Sequence, residues 1–202
     1  MALFQSKRLI VATHNAGKAA EFAALFKPFH VETVSATDLD LLVPDETEST
    51  FVGNARLKAK AASAATGLPA LADDSGITVD GLDGAPGIYT SDWAETPHGR
   101  NFDLAMAKTW QMLELRSAAF PRRAQFRCAL VMAWPTGAEV VCEGAVSGQV
   151  VWPKRGRLGH GFDPIFLPDR QSLTFGEMDQ SAKNQISHRA RAFEILIRKC
   201  FT

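Results

Sequence analysis

Cysteine is scarce in this chain: three in 202 residues, at positions 128, 142 and 200. An odd count so widely spaced offers neither a zinc-ligand spacing nor a disulfide framework, and it points to a reducing compartment, the cytoplasm. Neither sign of charge is in excess, since Lys+Arg and Asp+Glu number 22 each. A chain built to coat nucleic acid or an anionic membrane needs a basic surplus, so neither is an expected partner. No apolar run reaches membrane-spanning length, and the N-terminal one is too short for a signal peptide. Internal repeats, low-complexity tracts and an obvious linker are missing too. What remains is an ordinary globular composition, 46% hydrophobic and 22% charged. It suits a single domain, with room for two lobes and a sizeable core.

The apolar run Leu9–Ala12 predicts a strand over 8–13, followed by a helix over 15–27 capped by Asn15, with Ala19, Phe22, Leu25 and Phe26 at helical spacing. A second strand follows near 30–35, then an acidic, proline-containing loop over 36–49. Ser49 or Thr50 can cap a helix over 51–66 that Gly67 and Pro69 end. A strand over 69–73 is expected to meet a turn at Asp73-Asp74-Ser75-Gly76, with a short hairpin beyond it. Thr96-Pro97 is expected to start a helix with Phe102, Met106, Trp110 and Leu113 on its apolar face. The stretch 124–134 alternates, placing Phe126, Cys128, Leu130, Met132 and Trp134 on one side, and Pro135-Thr136-Gly137 turns it into a partner strand over 138–151. A last helix over 187–200 has Ala190, Phe193, Leu196 and Ile197 as its stripe. Strand–helix units followed by hairpins make an α/β protein with a mixed sheet.

Four patches can carry chemistry. In Thr13-His14-Asn15-Ala16-Gly17-Lys18, a strand-to-helix turn offers free backbone N–H groups, and Lys18 adds a full charge where the helix dipole is already positive. A phosphate explains that lysine; so does a capped helix whose lysine reaches water. The spacing of glycines is not that of a P-loop. In KNQISHRARAF, Lys183, His188, Arg189 and Arg191 crowd the start of the last helix, as a second anion site or as a solvated basic face balanced by Glu194. The third patch pairs Asp73-Asp74-Ser75-Gly76 with Asp45-Glu46. Two carboxylates from separate segments suit magnesium, and one can accept a proton from water. Because neighbouring strand residues point to opposite faces, one aspartate of the pair is expected to face a given site. An Asx turn and a solvated loop are the plainer reading. In Gly159-His160-Gly161-Phe162-Asp163-Pro164, glycines permit close approach, Phe162 offers a ring for a base, and Asp163 can bond a base edge or sugar; a simple turn before a strand also fits. Asn54 and Lys58 share one helix face, aimed at phosphate or at water.

Taken together, THNAGKAAEF, DETESTFVGNARLKAKAA, LPALADDSGITVDGLDGAPGIYT, GHGFDPIF and SAKNQISHRARAF resemble, in order and spacing, the inosine triphosphate pyrophosphatase family. The resemblance implies a long central mixed β-sheet flanked by helices in two lobes with the nucleotide cleft between them, a homodimer, and dependence on Mg²⁺. By the same resemblance, Thr13, His14, Asn15, Ala16, Gly17 and Lys18 hold the triphosphate with Asn54 and Lys58. Asp74 is the catalytic base and a metal contact, Ser75 touches substrate, and Glu46 or its neighbour Asp45 is the acidic metal residue. His160, Gly161, Phe162, Asp163, Lys183, His188 and Arg189 hold base and sugar. The chain departs from the pattern at His14, where many relatives have glycine, and at His160, where many have an aromatic; either the imidazole or Phe162 supplies the stacking ring.

The implied reaction is hydrolysis of ITP, dITP or XTP between the α and β phosphorus atoms, giving a monophosphate and pyrophosphate. Lys18 and Lys58 would stabilise the departing pyrophosphate. A related pyrophosphatase for modified pyrimidine nucleotides, or a nucleotide sensor without turnover, are the competing readings; paired carboxylates argue against the sensor. If only the helix dipole governs Lys18, its removal should cost the ligand-free fold nothing.

Overall fold

Thr50 and Gly67 bound their helix as the sequence predicts: Thr50 Oγ1 accepts from the Gly53 N–H, and Gly67 closes the last turn in the left-handed region. The computed structural model describes residues 3–42 and 44–201. In chain order the elements are β1 (Arg8–Val11), α1 (Ala16–Phe26), β2 (Glu32–Ser35), α2 (Phe51–Thr66) and β3 (Ala70–Val79), then a two-residue pair β4 (Glu95–Thr96) and β5 (Gly99–Arg100). There follow α3 (Phe102–Leu115), β6 (Arg123–Ala133), β7 (Glu139–Val150), β8 (Phe166–Pro168), α4 (Gln180–Ile186) and α5 (His188–Cys200). Six strands form one sheet in the order β2-β1-β3-β6-β7-β8. β1 runs parallel to β2 and to β3, and β7 runs antiparallel to β8, so the sheet is mixed. The α/β expectation holds.

The chain divides into two compact units. One comprises Met1–Asp74, Ala129–Glu143 and Ala192–Thr202. Beneath α2 its core is a layer of small side chains, where Ala55, Ala59 and Ala62 pack with Ile10, Ala70, Ala72, Ala129, Val131 and Ala133, while Leu9, Phe22, Phe26, Leu71 and Leu196 are buried in the same unit. The other comprises Ser75–Cys128 and Gly144–Arg191. It is filled by large rings, with Phe126, Phe162, Phe166 and Phe175 among Met106, Leu113 and Ile165.

Several elements differ from expectation for identifiable reasons. No turn interrupts Asp73–Gly76: β3 runs through all four residues, buried along nearly its whole length. Its carboxylates find side-chain partners elsewhere, which removes the local bonds an Asx turn needs. α3 begins at Phe102 rather than at Thr96-Pro97, because Asn101 is the residue whose side chain accepts from the Asp103 and Leu104 N–H groups. Thr96 and Pro97 belong to the β4–β5 turn. In β6 the alternation stops at Cys128, beyond which residues 129–133 are buried on both faces. The buried stripe of α5 is Ala192, Phe193, Leu196 and Cys200; Ala190 and Ile197 are half-buried. α4 is absent from the expected elements. At seven residues it is too short to show helical periodicity.

Candidate active site

In the first unit, β1 delivers the chain into a turn that two short polar side chains shape. Thr13 Oγ1 accepts from the Asn15 N–H at 3.2 Å, and Asn15 Oδ1 caps the helix by accepting from the Lys18 N–H at 3.1 Å. Ala16 and Gly17 follow, exposed, in the first turn of α1. There the backbone N–H groups lack intrahelical acceptors and favour an anion. His14 Nε2 donates to the Leu41 carbonyl at 2.8 Å, tying this turn to the segment after β2.

Lys18 has a partner that its position in sequence does not reveal. Its Nζ lies 2.8 Å from Asp73 Oδ2. The next carboxylate, Asp74, faces α2: Asn54 Nδ2 donates to Asp74 Oδ2 at 3.3 Å, and Lys58 Nζ lies 4.0 Å from Asp74 Oδ1. Lys58 also donates to Glu46 Oε1 at 2.6 Å. The two neighbours thus turn to different helices, Asp73 to Lys18 of α1 and Asp74 to Asn54 and Lys58 of α2, in line with the alternation of a strand. Burial pushes the Asp74 carboxyl up to about 6; Glu46 adds to this, while Lys58, Asn54 and Lys18 pull it down. Burial opposes the charge on Lys58, but Asp73, Asp74 and Glu46 outweigh it and raise the ammonium above its ordinary range. A carboxylate poised near neutrality between two lysines can accept a proton from water.

The expected metal residues are only partly brought together. Glu46 and Asp74 share Lys58, whereas Asp45 is exposed and stands outside that network. Among the described residues no three His, Cys, Asp or Glu side chains gather closely enough to hold a metal ion by themselves. The donors fit a hard cation that takes one or two carboxylates and completes its shell with water and phosphate oxygens. Glu46 repels the Asp74 carboxylate, a repulsion that a divalent ion there would relieve.

In the second unit, Asp163 is the organising group. It is 1% exposed and accepts from Lys183 Nζ of α4 and from the His160 N–H, both at 2.5 Å. Gly159 is required here: it sits at φ +76°, and a Cβ would lie 2.1 Å from Asp163 Oδ2. Phe162 does not offer its ring to a base. It is 1% exposed and packs edge-on against Phe102 inside the core, so the exposed ring of this loop is His160. A cavity of about 650 Å³ opens beside it, walled by Phe102, Met106, Lys154, Arg157, Leu158 and His160. His188 begins α5 as a buried ring stacked on Phe126, with centroids 5.0 Å apart, and Arg189 beside it is half-buried. Arg191 is engaged elsewhere, donating to the Ala145 carbonyl at 2.8 Å. Ser75 lies half-buried at the start of this unit, directly after Asp74 on β3.

Three participants escape the sequence reading. Asp73 as the partner of Lys18 is a contact between distant segments that no local pattern encodes. The Glu48 N–H, which donates to Asn54 Oδ1 at 3.0 Å, is invisible for the same reason. Gly53 could have been found, because glycine inside a helix costs about 1 kcal/mol relative to alanine and so asks for an explanation.

A family model described as the Ham1 family matches residues 9–199. A protein named dITP/XTP pyrophosphatase from Ruegeria pomeroyi is 57% identical over 198 residues, covering 98% of this chain and 97% of the relative. One of the same name from Caulobacter vibrioides is 55% identical, covering 92% and 94%. Among solved structures, a HAM1 protein from Coxiella burnetii superposes with a TM-score of 0.88 at 34% identity, covering 95% of this chain and 97% of that one. The Staphylococcus aureus Ham1 protein gives a TM-score of 0.83 at 33% identity, with the same coverage. With the motifs, the sheet order and these likenesses in agreement along nearly the whole length, the chain belongs to the Ham1 family.

Proposed function

We propose that this chain hydrolyses non-standard purine nucleoside triphosphates, ITP, dITP and XTP, to the monophosphate and pyrophosphate, and so clears them from the nucleotide pool. The observation that carries the reading is the Asp74 carboxyl, raised to about 6 and set among Lys18, Lys58 and Glu46 near the start of α1. The bacterial relatives, named dITP/XTP pyrophosphatases, support the same substrate class. In this reading the turn Thr13–Gly17 and the Lys18 and Lys58 ammonium groups bind the triphosphate and offset charge on the departing pyrophosphate. Asp74 takes a proton from the attacking water. Ser75 touches substrate, and His160, Gly161, Asp163, Lys183, His188 and Arg189 serve base and sugar. The cavity beside His160 is of ligand-pocket size.

Mg²⁺ is the cofactor of this reading, held by Asp74 and Glu46. When bound it neutralises phosphate charge. A homodimer in the cytoplasm completes the proposal. Exposed Leu115 and Phe120 offer apolar surface for association, and three buried free cysteines suit a reducing compartment. The test is an assay of the purified chain with Mg²⁺ on ITP, dITP, XTP, GTP, ATP and modified pyrimidine triphosphates. Pyrophosphate and orthophosphate are measured separately. Pyrophosphate from the first three supports the reading; orthophosphate as first product, or preference for the pyrimidines, overturns it.

A further inference from the structure

The segment carrying Glu46 has no regular structure of its own, yet it meets α2 at two consecutive residues. A Cβ on Gly53 would stand 2.5 Å from Glu48 Cβ and 2.9 Å from its Cγ, so the loop lies against helix backbone that only glycine leaves open. One residue on, Asn54 is 2% exposed, and its amide is engaged at both ends. Oδ1 accepts from the Glu48 N–H at 3.0 Å, and Nδ2 donates to Asp74 Oδ2 at 3.3 Å. The orientation of that amide is not free, because a backbone N–H can meet only the oxygen. One planar group thus spans the acidic loop and the carboxylate on β3.

We infer that Asn54 is a positioning residue rather than a phosphate ligand: with Gly53 it docks the 45–48 segment on α2 and aims the Asp74 carboxylate. The inference rests on the reading above that Asp74 acts on the water. A group that spans two others fixes their separation and direction together. Misdirecting a reacting group by about 1 Å can lower a rate on the order of 100-fold. A ligand of the triphosphate would act differently, through substrate affinity.

Three variants test this: Asn54→Ala, Asn54→Asp and Gly53→Ala. The aspartate is isosteric with asparagine and keeps an acceptor for the Glu48 N–H, but it has no N–H to give Asp74. Pyrophosphate release from ITP is split into kcat and KM. Amide hydrogen exchange at Glu48 is measured on the chain without metal or nucleotide. Asn54→Ala should lower kcat by about 10–100-fold with KM within about twofold, and the Glu48 amide should exchange at least about tenfold faster. Asn54→Asp should lower kcat as far while leaving Glu48 protected, which separates aiming from docking. Gly53→Ala should speed Glu48 exchange although alanine is the better helix former. A wild-type kcat with raised KM in Asn54→Ala would overturn the inference in favour of phosphate contact. Unchanged Glu48 exchange in that variant would overturn the docking. If the parent chain releases no pyrophosphate, the functional reading fails, and the exchange data still decide whether Gly53 and Asn54 dock the loop.

Discussion

Lys18 Nζ and Asp73 Oδ2 are 2.8 Å apart, and the Asp73 side chain is only 2% exposed. This pair explains a cation at a helix start, where the backbone field is already positive. The buried carboxylate compensates the lysine in the ligand-free chain. An ammonium has three N–H groups, so bonding Asp73 leaves others for a phosphate.

The helix-dipole expectation that Lys18 is dispensable for stability is therefore reversed. Lys18→Ala should destabilise the ligand-free chain by about 3 kcal/mol, because it removes the cation beside a buried carboxylate. For a chain of this size that lowers Tm by roughly 6–12 °C. Adding Asp73→Asn should restore most of the loss while activity stays low. Thermal melts of the single and double variants check both statements; an unchanged Tm for Lys18→Ala would remove the pair as a structural element.

Asp74→Asn should abolish most turnover and raise ligand-free stability at neutral pH. The folded-state value of about 6 lies above the ordinary 3.8, so the folded chain holds this proton more tightly than the unfolded one. Stability from this group is then fullest below about pH 4, declines as pH rises to about 6, and is flat beyond. At pH 7.5 the amide should gain about 2–3 kcal/mol over the carboxylate, and near pH 4 little. Melts in chelator at the two pH values give the comparison.

Activity should follow the same group with opposite sign. Protonated Asp74 neither accepts a proton nor binds a cation, so kcat/KM should fall about tenfold per pH unit below about 6. Raising Mg²⁺ should move this limb to lower pH, since the ion competes with the proton. A pH–rate profile at two Mg²⁺ concentrations shows the shift or its absence.

Lys183→Met should be costly in the second unit. It leaves Asp163, 1% exposed, without the ammonium it bonds. Losing one partner of a buried pair costs about 3–5 kcal/mol. The His160 turn depends on the same carboxylate, so KM for ITP should rise as Tm falls. A variant that melts like the parent would show that Asp163 is satisfied without Lys183.

Local rules reached far in this chain. Asn15 and Thr50 cap their helices, Gly67 ends α2, the first three family blocks hold the residues that gather around Asp74, and the last two hold His160, Asp163 and Lys183. Local rules misread Asp73–Gly76 because the cue for a turn, polar residues ahead of glycine, is overridden once distant lysines and an asparagine satisfy the carboxylates. They misread Phe162 because its burial depends on Phe102, sixty positions away. The Lys18–Asp73 pair and the Glu48–Asn54–Asp74 chain of bonds were out of reach for the same reason: each joins segments that only the folded sheet brings near.

The small side chains under α2 carry one more implication. Ala55, Ala59 and Ala62 let the helix backbone ride close to the strands, and the same helix presents Asn54 and Lys58 to Asp74. A bulkier residue in that seam, such as leucine for Ala59, would wedge the helix outward. Its stability loss of about 1–3 kcal/mol could leave a folded chain, but one whose amide and ammonium no longer meet the carboxylate. Tolerance to substitution beneath α2 is thus set by the chemistry above it, and inactive variants are to be sought among alanines that touch no nucleotide.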